Sequence, residues 1–239
     1  MAGPLILHIE TATDICSVAL SEGDRQLSLI ESGQERSHAT LLNSFIRQSA
    51  EQAGKPLKEL QGVAVSKGPG SYTGLRIGVS TAKGISYALQ IPLLAVGTLE
   101  HMASGVQQHD GLAELRSVHG EKLLLCPMLD ARRMEVYAAF YTLKNRLFRE
   151  VSADVIHAES YQEILEAHPV CFFGDGAEKC TAVLTHPNAH FLDGVHPSAS
   201  SMVSPVLRKF REKKFEDVAY FEPFYLKDFI ATIPRKKVL

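Results

Sequence analysis

Gly62-Val63-Ala64-Val65-Ser66-Lys67-Gly68-Pro69-Gly70-Ser71-Tyr72-Thr73-Gly74-Leu75-Arg76-Ile77-Gly78-Val79 reads as a short buried strand, a glycine-rich turn and the start of a helix. Glycine lets the backbone approach a partner closely, and a helix N-terminus offers free N–H groups with partial positive charge. Two readings follow. Gly68, Gly70 and Ser71 could hold an anion or a nucleotide, or the glycines could serve a tight turn, with Gly78 and Gly84 allowing close helix packing. Neither familiar phosphate loop fits. Gly70 and Gly74 enclose three residues where a Walker A loop needs four, and Leu75 follows where Lys is required. Gly68, Gly70 and Gly74 exceed the dinucleotide spacing G-x-G-x-x-G by one residue.

Upstream, residues 5–10, 15–20 and 26–31 read as strands, separated by the turn signals Thr11-Ala12-Thr13-Asp14 and Ser21-Glu22-Gly23-Asp24. The period then changes. Over 38–53, Leu41, Leu42, Phe45, Ile46, Ala50 and Ala53 fall on one helical side, with Ser37 as N-cap and Gly54 as stop. The helix that opens near Thr73 runs to about Leu89, followed by a strand at 92–96 and a helix at 99–107. Residues 108–121 are polar and read as a linker. A second cycle follows: strands at 123–129, 135–141 and 147–155, a helix at 159–167, a strand at 170–173, and helices at 177–184 and 201–213. Both halves open with three strands and continue with helix-strand alternation, which predicts an α/β protein of two duplicated lobes, 1–107 and 108–239, facing each other across a cleft.

The composition narrows the function classes. The chain has 239 residues, a formal net charge of -2 and 45% hydrophobic residues, which excludes a disordered chain and a strongly basic nucleic-acid binder. Cys16, Cys126, Cys171 and Cys180 form no C-x-x-C pair and read as buried free thiols. No basic leader and no apolar run of about 18 residues appears, so a cytoplasmic protein without a membrane anchor is expected.

Chemistry-bearing constellations are few. His186 and His190 are separated by Pro187 and Asn188, which break the helix a chelate would need, and His101 and His109 have no third ligand nearby. No metal site is expected. Neither a G-x-S-x-G elbow nor a cysteine with an obvious base is present, so no catalytic nucleophile is assigned. The turn around Glu10 and Thr11 is either structural or phosphate-positioning. Arg208, Lys209, Arg211, Lys213 and Lys214, and then Arg235-Lys236-Lys237, form either solvated faces or contacts to RNA phosphates. The apolar residues Val79, Ala82, Ile85 and Ala88 on the second helix serve either the core or an interface.

Several segments together resemble the TsaB (YeaZ) family. They are Ile9-Glu10-Thr11-Ala12-Thr13, Ser37-His38, the glycine-rich stretch from Gly68 to Gly78, Thr81-Ala82-Lys83-Gly84, Leu129-Asp130-Ala131-Arg132 with Glu135-Val136-Tyr137, and Glu222-Pro223-Phe224-Tyr225-Leu226. The resemblance implies an ASKHA fold, the actin, Hsp70 and sugar-kinase type, with two RNase H-like lobes and a last segment that returns to the first. It implies a non-catalytic partner of the TsaD transferase, which forms N6-threonylcarbamoyladenosine at position 37 of tRNAs reading codons that begin with A. TsaE would join as an ATPase, tRNA would be met through the complex, and the family also self-associates as a homodimer. ATP, ADP and metal would belong to the partner subunits. The TsaD metal pair H-x-x-x-H corresponds here to His101-Met102-Ala103-Ser104-Gly105, with one imidazole left. The expected partner surface comprises His38, Leu41, Leu42, Phe45, Tyr72, Arg76, Val79, Ala82 and Lys83. Thr11, Gly68, Gly70, Ser71, Gly174 and Gly176 are the candidate anion or nucleotide contacts. The rival expectation is a nucleotide-hydrolysing ASKHA enzyme using the interlobe cleft.

Overall fold

A computed structural model describes residues 3–32 and 38–226. The first sheet contains β1 (Leu5–Glu10), β2 (Cys16–Glu22), β3 (Arg25–Ser32), β4 (Gly62–Ser66) and β5 (Leu93–Val96), in the order β3-β2-β1-β4-β5. β1 to β3 form the expected antiparallel meander, whereas β4 and β5 join in parallel through the crossover helices α1 (His38–Ala53) and α2 (Tyr72–Leu89). Strand periodicity sorts the side chains. Leu5, Leu7 and Ile9 meet Leu42, Phe45 and Ile46 of α1 and Val79 and Ala82 of α2 on one face. Ile6, Ala19, Ala64, Leu94 and Val96 line the other face.

That second face is covered from the far end of the chain. A 3-10 turn (Ala199–Met202) and helix α7 (Val203–Arg211) place Ala199, Met202, Val206 and Phe210 against it. Beyond α7 the Glu216 N–H donates to the Leu93 carbonyl at the sheet edge (2.8 Å). Sequence separation thus misleads: the last segment packs on the first sheet. The residues expected as one helix at 201–213 divide between the turn and α7. Pro205, in the first turn of α7, needs no N–H donor there.

The second sheet repeats the first. β6 (Leu124–Asp130), β7 (Glu135–Thr142), β8 (Leu147–Val155), β9 (Val170–Phe173) and β10 (Ala189–Leu192) lie in the order β8-β7-β6-β9-β10. β6 therefore occupies the position of β1, and the turn after β9 that of the glycine-rich turn after β4. Helices α3 (Thr98–Gly105), α4 (Asp110–His119), α5 (Gln162–Ala167) and α6 (Asp175–Glu178) complete the molecule. Three expectations need correction. The stretch 108–121 is mostly the helix α4, which places Leu112 in the core and leaves its polar residues outside. The helix expected at 177–184 shrinks to the single turn α6, after which turns carry Cys180 and Leu184 inward. β10 escaped notice because its four residues, Ala-His-Phe-Leu, follow Pro187 and Asn188 and show no alternation. Ser37, the expected N-cap of α1, lies outside the described residues.

Candidate functional site

The carboxyl ends of β1 and β4 meet where the two expected phosphate elements would face each other. The chain fills that place itself. The Ser71 N–H donates to the Ala12 carbonyl (2.6 Å), and the Thr11 hydroxyl donates to the Gly74 carbonyl (2.8 Å). A Cβ at Gly70, Gly74 or Gly78 would lie closer than 3.0 Å to atoms of Thr11 or Ala12. Gly68 has φ +110°, and a Cβ there would strike the Phe224 carbonyl. The Phe224 N–H in turn donates to the Lys67 carbonyl (2.7 Å). Ser71 also caps α2, its hydroxyl accepting from the Gly74 N–H (3.3 Å). The geometry is that of a tight strand-to-helix turn, as the second reading of this loop expects. At the expected anion contacts, Thr11, Gly68, Gly70 and Ser71 all take part in the close approach of the chain's own backbone.

The second loop behaves alike. Gly174 (φ +101°) and Gly176 press on the backbone of Met128 and Leu129 so closely that neither position has room for a Cβ. Asp175 Oδ1 accepts from the Asp130 N–H (3.1 Å). Gly174 and Gly176, the expected nucleotide contacts of this lobe, allow α6 to pack closely on β6.

Between these loops lies a buried polar chain. Glu10 and His101 are fully buried, and Oε2 of Glu10 is 2.5 Å from Nε2 of His101. Glu10 Oε1 accepts from the Ala12 N–H (2.5 Å). His101 Nδ1 lies 2.7 Å from the Ser201 hydroxyl, which donates to the Ser198 carbonyl (2.7 Å). Ser201 must then accept from Nδ1–H, and one further proton lies between Glu10 and His101. Neither ring nitrogen of His101 keeps a free lone pair for a metal. A Cβ at Gly105 would lie closer than 3.0 Å to Ser201 Cβ, so a second imidazole at that position has no room. The residues here do not fit the metal pair that the resemblance implies for TsaD. His8, on the opposite face of β1 from Leu7 and Ile9, is also buried. One ring nitrogen is 2.8 Å from the Ser21 hydroxyl, and burial lowers its pKa to about 3.

The helical surface is sorted differently from the expectation. Leu42, Phe45, Val79 and Ala82 belong to the chain's own core, so their expected place on a partner surface is corrected. Periodicity identified the apolar face of each helix correctly, but that face points at the sheet. His38 bonds to the Thr13 carbonyl (2.6 Å) and holds the β1–β2 turn. Leu41, Tyr72 and Lys83 remain partly exposed, and Arg76 is exposed. Arg76 donates to the Tyr72 hydroxyl (2.9 Å) and lies 5.2 Å from its ring centre, while Tyr72 packs on Tyr225 with ring centres 4.9 Å apart. Lys83 Nζ donates to the carbonyls of Ala219 (3.1 Å) and Phe221 (3.0 Å). Tyr87 and Tyr220 project into solvent at 80% and 84% exposure. Residues 219–225 thus lie along α2 and widen its outer face with aromatic rings. No periodicity signals this, since the segment has no regular structure of its own.

The basic residues of α7 are partly spoken for. Lys209 Nζ donates to the Ala95 carbonyl (2.9 Å) and to Glu100 (3.1 Å), and Arg208 lies 3.5 Å from Glu100. They fasten α7 to α3. Arg235-Lys236-Lys237 lie outside the described residues. All four cysteines are free and buried, and burial raises Cys16 to about 11. Among the described residues no helix is long and apolar enough to cross a membrane.

Comparison with known proteins agrees with this architecture. The model of the family TsaD, tRNA N6-adenosine threonylcarbamoyltransferase, matches residues 30–235. The tRNA threonylcarbamoyladenosine biosynthesis protein TsaB of Bacillus subtilis is 32% identical over 172 residues, 71% of this chain and 70% of the relative. TsaB of Escherichia coli is 28% identical over 232 residues, 95% of this chain and 96% of that one. A solved Pseudomonas aeruginosa protein described as similar to the peptidase YeaZ superposes with TM-score 0.80 at 26% identity, covering 94% of this chain and 100% of its own. With two duplicated five-stranded lobes of the ASKHA type and these relatives, the chain belongs to the TsaB (YeaZ) family.

Proposed function

We propose that this chain is the non-catalytic partner that binds and activates the TsaD transferase in forming N6-threonylcarbamoyladenosine at position 37 of tRNAs reading codons that begin with A. One observation carries the reading: the chain's own atoms pack into the glycine-rich loop and take both nitrogens of His101. Thr11 and Ala12 sit in the glycine-rich loop, and His101 spends both nitrogens on Glu10 and Ser201. A protein whose phosphate loop and metal position are closed in this way has surface to offer rather than a reacting group. The names of its relatives in Bacillus subtilis and Escherichia coli place those proteins in the same pathway.

The docking surface is the outer face of α2 with residues 219–225, where Tyr72, Arg76, Tyr87 and Tyr220 supply aromatic rings and a cation. Aromatic residues and arginine are the side chains most often found at the centre of tight interfaces. The same face serves self-association as a homodimer in the absence of TsaD. TsaE joins the pair, ATP, ADP and metal stay with the partner subunits, and tRNA is held by the assembled complex in the cytoplasm.

Reconstitution tests this. Threonylcarbamoyladenosine formation on tRNA is measured with purified TsaD, TsaE and the threonylcarbamoyl-AMP synthase, with and without this chain, and with this chain replacing TsaD. Product only when both this chain and TsaD are present is expected. Product without TsaD would give the chain an active site of its own, and equal product with and without the chain would remove the activating role.

A further inference from the structure

The hairpin between β6 and β7 carries a feature that neither packing nor partner docking uses. At its tip Arg132 and Arg133 stand in succession in the left-handed region, with φ 71° and 52°. Side chains with a Cβ are disfavoured there, and Gly, Asn or Asp would relieve the backbone. Yet the hairpin is firmly held. The Arg132 N–H donates to Asp130 Oδ1 (2.8 Å), and the Ala131 N–H donates to the Glu135 carbonyl (3.0 Å). Lys179 Nζ reaches the carbonyls of Arg133 and Glu135 (2.7 Å each) and the Asp130 carboxylate from beneath. The surroundings thus over-determine a strained turn, as at sites where a particular display of side chains matters.

What the turn displays is two guanidinium groups. Both residues are exposed, and among the described residues neither guanidinium forms an ion pair or a hydrogen bond. Asp130, whose charge Arg132 helps to stabilise, is already held by Lys179 and the Arg132 amide, and Asp175 accepts from the Asp130 amide. The position is also telling. This hairpin is the counterpart of the β1–β2 turn in the duplicated lobe, at the carboxyl end of the central strand, where β6 separates β7 from β9. Open α/β sheets take ligands at that place. In the β1–β2 turn Thr11 and Ala12 are buried against the glycine-rich loop, whereas Arg132 and Arg133 of its twin are open to solvent.

We propose that Arg132 and Arg133 form a rigid phosphate-binding clamp that grips the backbone of the tRNA during modification. The inference rests on the tRNA-modification reading above. Guanidinium forks match phosphate oxygens in geometry and charge, and a pre-set turn lowers the ordering cost of two long side chains. Phosphate groups could also come from a free nucleotide, but two adjacent exposed guanidinium groups at a hairpin tip suit successive phosphates of a polymer backbone.

The test uses the full chain, alone and mixed with TsaD, and a fluorescently labelled tRNA read by anisotropy across a salt series. The double variant Arg132→Asn/Arg133→Asn keeps a backbone suited to positive φ, so its melting temperature should match or exceed that of the parent chain. Its tRNA affinity should fall about tenfold, and the slope of log affinity against log salt should shrink by about 1.5 to 2, as for two lost phosphate contacts. Parallel titrations use ATP and inorganic phosphate. Unchanged tRNA affinity and slope, or no arginine-dependent tRNA binding with or without TsaD, would overturn the clamp. Arginine-dependent binding of ATP without that of tRNA would overturn it in favour of a nucleotide. Loss of TsaD pairing with tRNA binding intact would overturn it in favour of an acidic protein surface. Pairing with TsaD is scored separately by gel filtration. A chain that binds tRNA through these arginines but never pairs with TsaD would sink the proposed function and leave the clamp standing.

Discussion

His101 Nε2 lies 2.5 Å from Glu10 Oε2, and neither side chain is reached by solvent. The pair joins the end of β1 to α3, and Ser201 extends it to the turn before α7. Three segments distant in sequence therefore depend on one proton shared inside the protein. Removing one member leaves the other buried and unpaired. His101→Ala is expected to destabilise the fold by about 3–5 kcal/mol, and His101→Gln, which can still donate to Glu10, by less. Denaturant unfolding of the three proteins checks this. Equal stability of His101→Ala and the parent chain would show that water reaches Glu10.

Leu42 and Arg76 separate fold from docking. Leu42 is sealed between α1 and the sheet, so Leu42→Arg buries an unpaired charge and should abolish cooperative unfolding, whatever it does to pairing. Arg76 is exposed, and Arg76→Glu should change stability by no more than about 0.5 kcal/mol. Its pairing with TsaD should nevertheless weaken by tenfold or more. Calorimetric titration against TsaD, with thermal melts as control, tells the two apart. Undiminished pairing by Arg76→Glu would remove the outer face of α2 from the interface.

Gly74 tests the filled loop. A Cβ there meets the Thr11 carbonyl, in a turn fixed by the Thr11 hydroxyl on the Gly74 carbonyl and by the Ser71 N–H on the Ala12 carbonyl. Gly74→Ala should cost about 3 kcal/mol, the upper end of overpacking. A nucleotide loop would respond otherwise, losing nucleotide affinity with little change in melting temperature. Thermal melts with and without ATP give the answer.

His8 makes stability depend on pH. Burial lowers its pKa from 6.5 to about 3, so between those values the unfolded chain binds a proton that the folded chain does not. The stabilisation from keeping His8 neutral is fully present above pH 6.5 and is lost as pH falls towards 3, by at most about 1.4 kcal/mol per pH unit from this group. His8→Gln should flatten the stability profile over that window. An unchanged slope would assign the acid sensitivity to other groups.

Lys83 ties residues 219 and 221 to α2 through two carbonyls. Lys83→Ala should release this segment and speed cleavage by chymotrypsin at Tyr220 or Phe221, with the remaining fold intact. Peptide mapping after limited proteolysis reads the site directly, and an unchanged rate would mean that the Tyr72–Tyr225 contact suffices.

Much of this molecule is written locally. The short strand-like runs and turn signals in residues 5–24, the helical period over 38–53 and the glycine-rich stretch before α2 set strands, helices and their order, because each depends on neighbours a few residues away. The repetition of that order in the second half was enough to expect two lobes. Motifs at fixed spacing carried the family resemblance for the same reason. The direction in which each apolar face points was not legible: Leu42 and Val79 look alike whether they meet a sheet or a partner. Nor was the role of the glycines, since Gly70 and Gly74 are explained by Thr11 and Ala12, some sixty residues earlier in the chain. Only the tertiary structure decided that Glu10 pairs with His101, that α7 covers the first sheet and that Arg132 and Arg133 stand free. The physical reason is range: backbone preference and periodicity act along the chain, whereas burial, close approach and charge pairing act across space, between residues whose meeting no local pattern records.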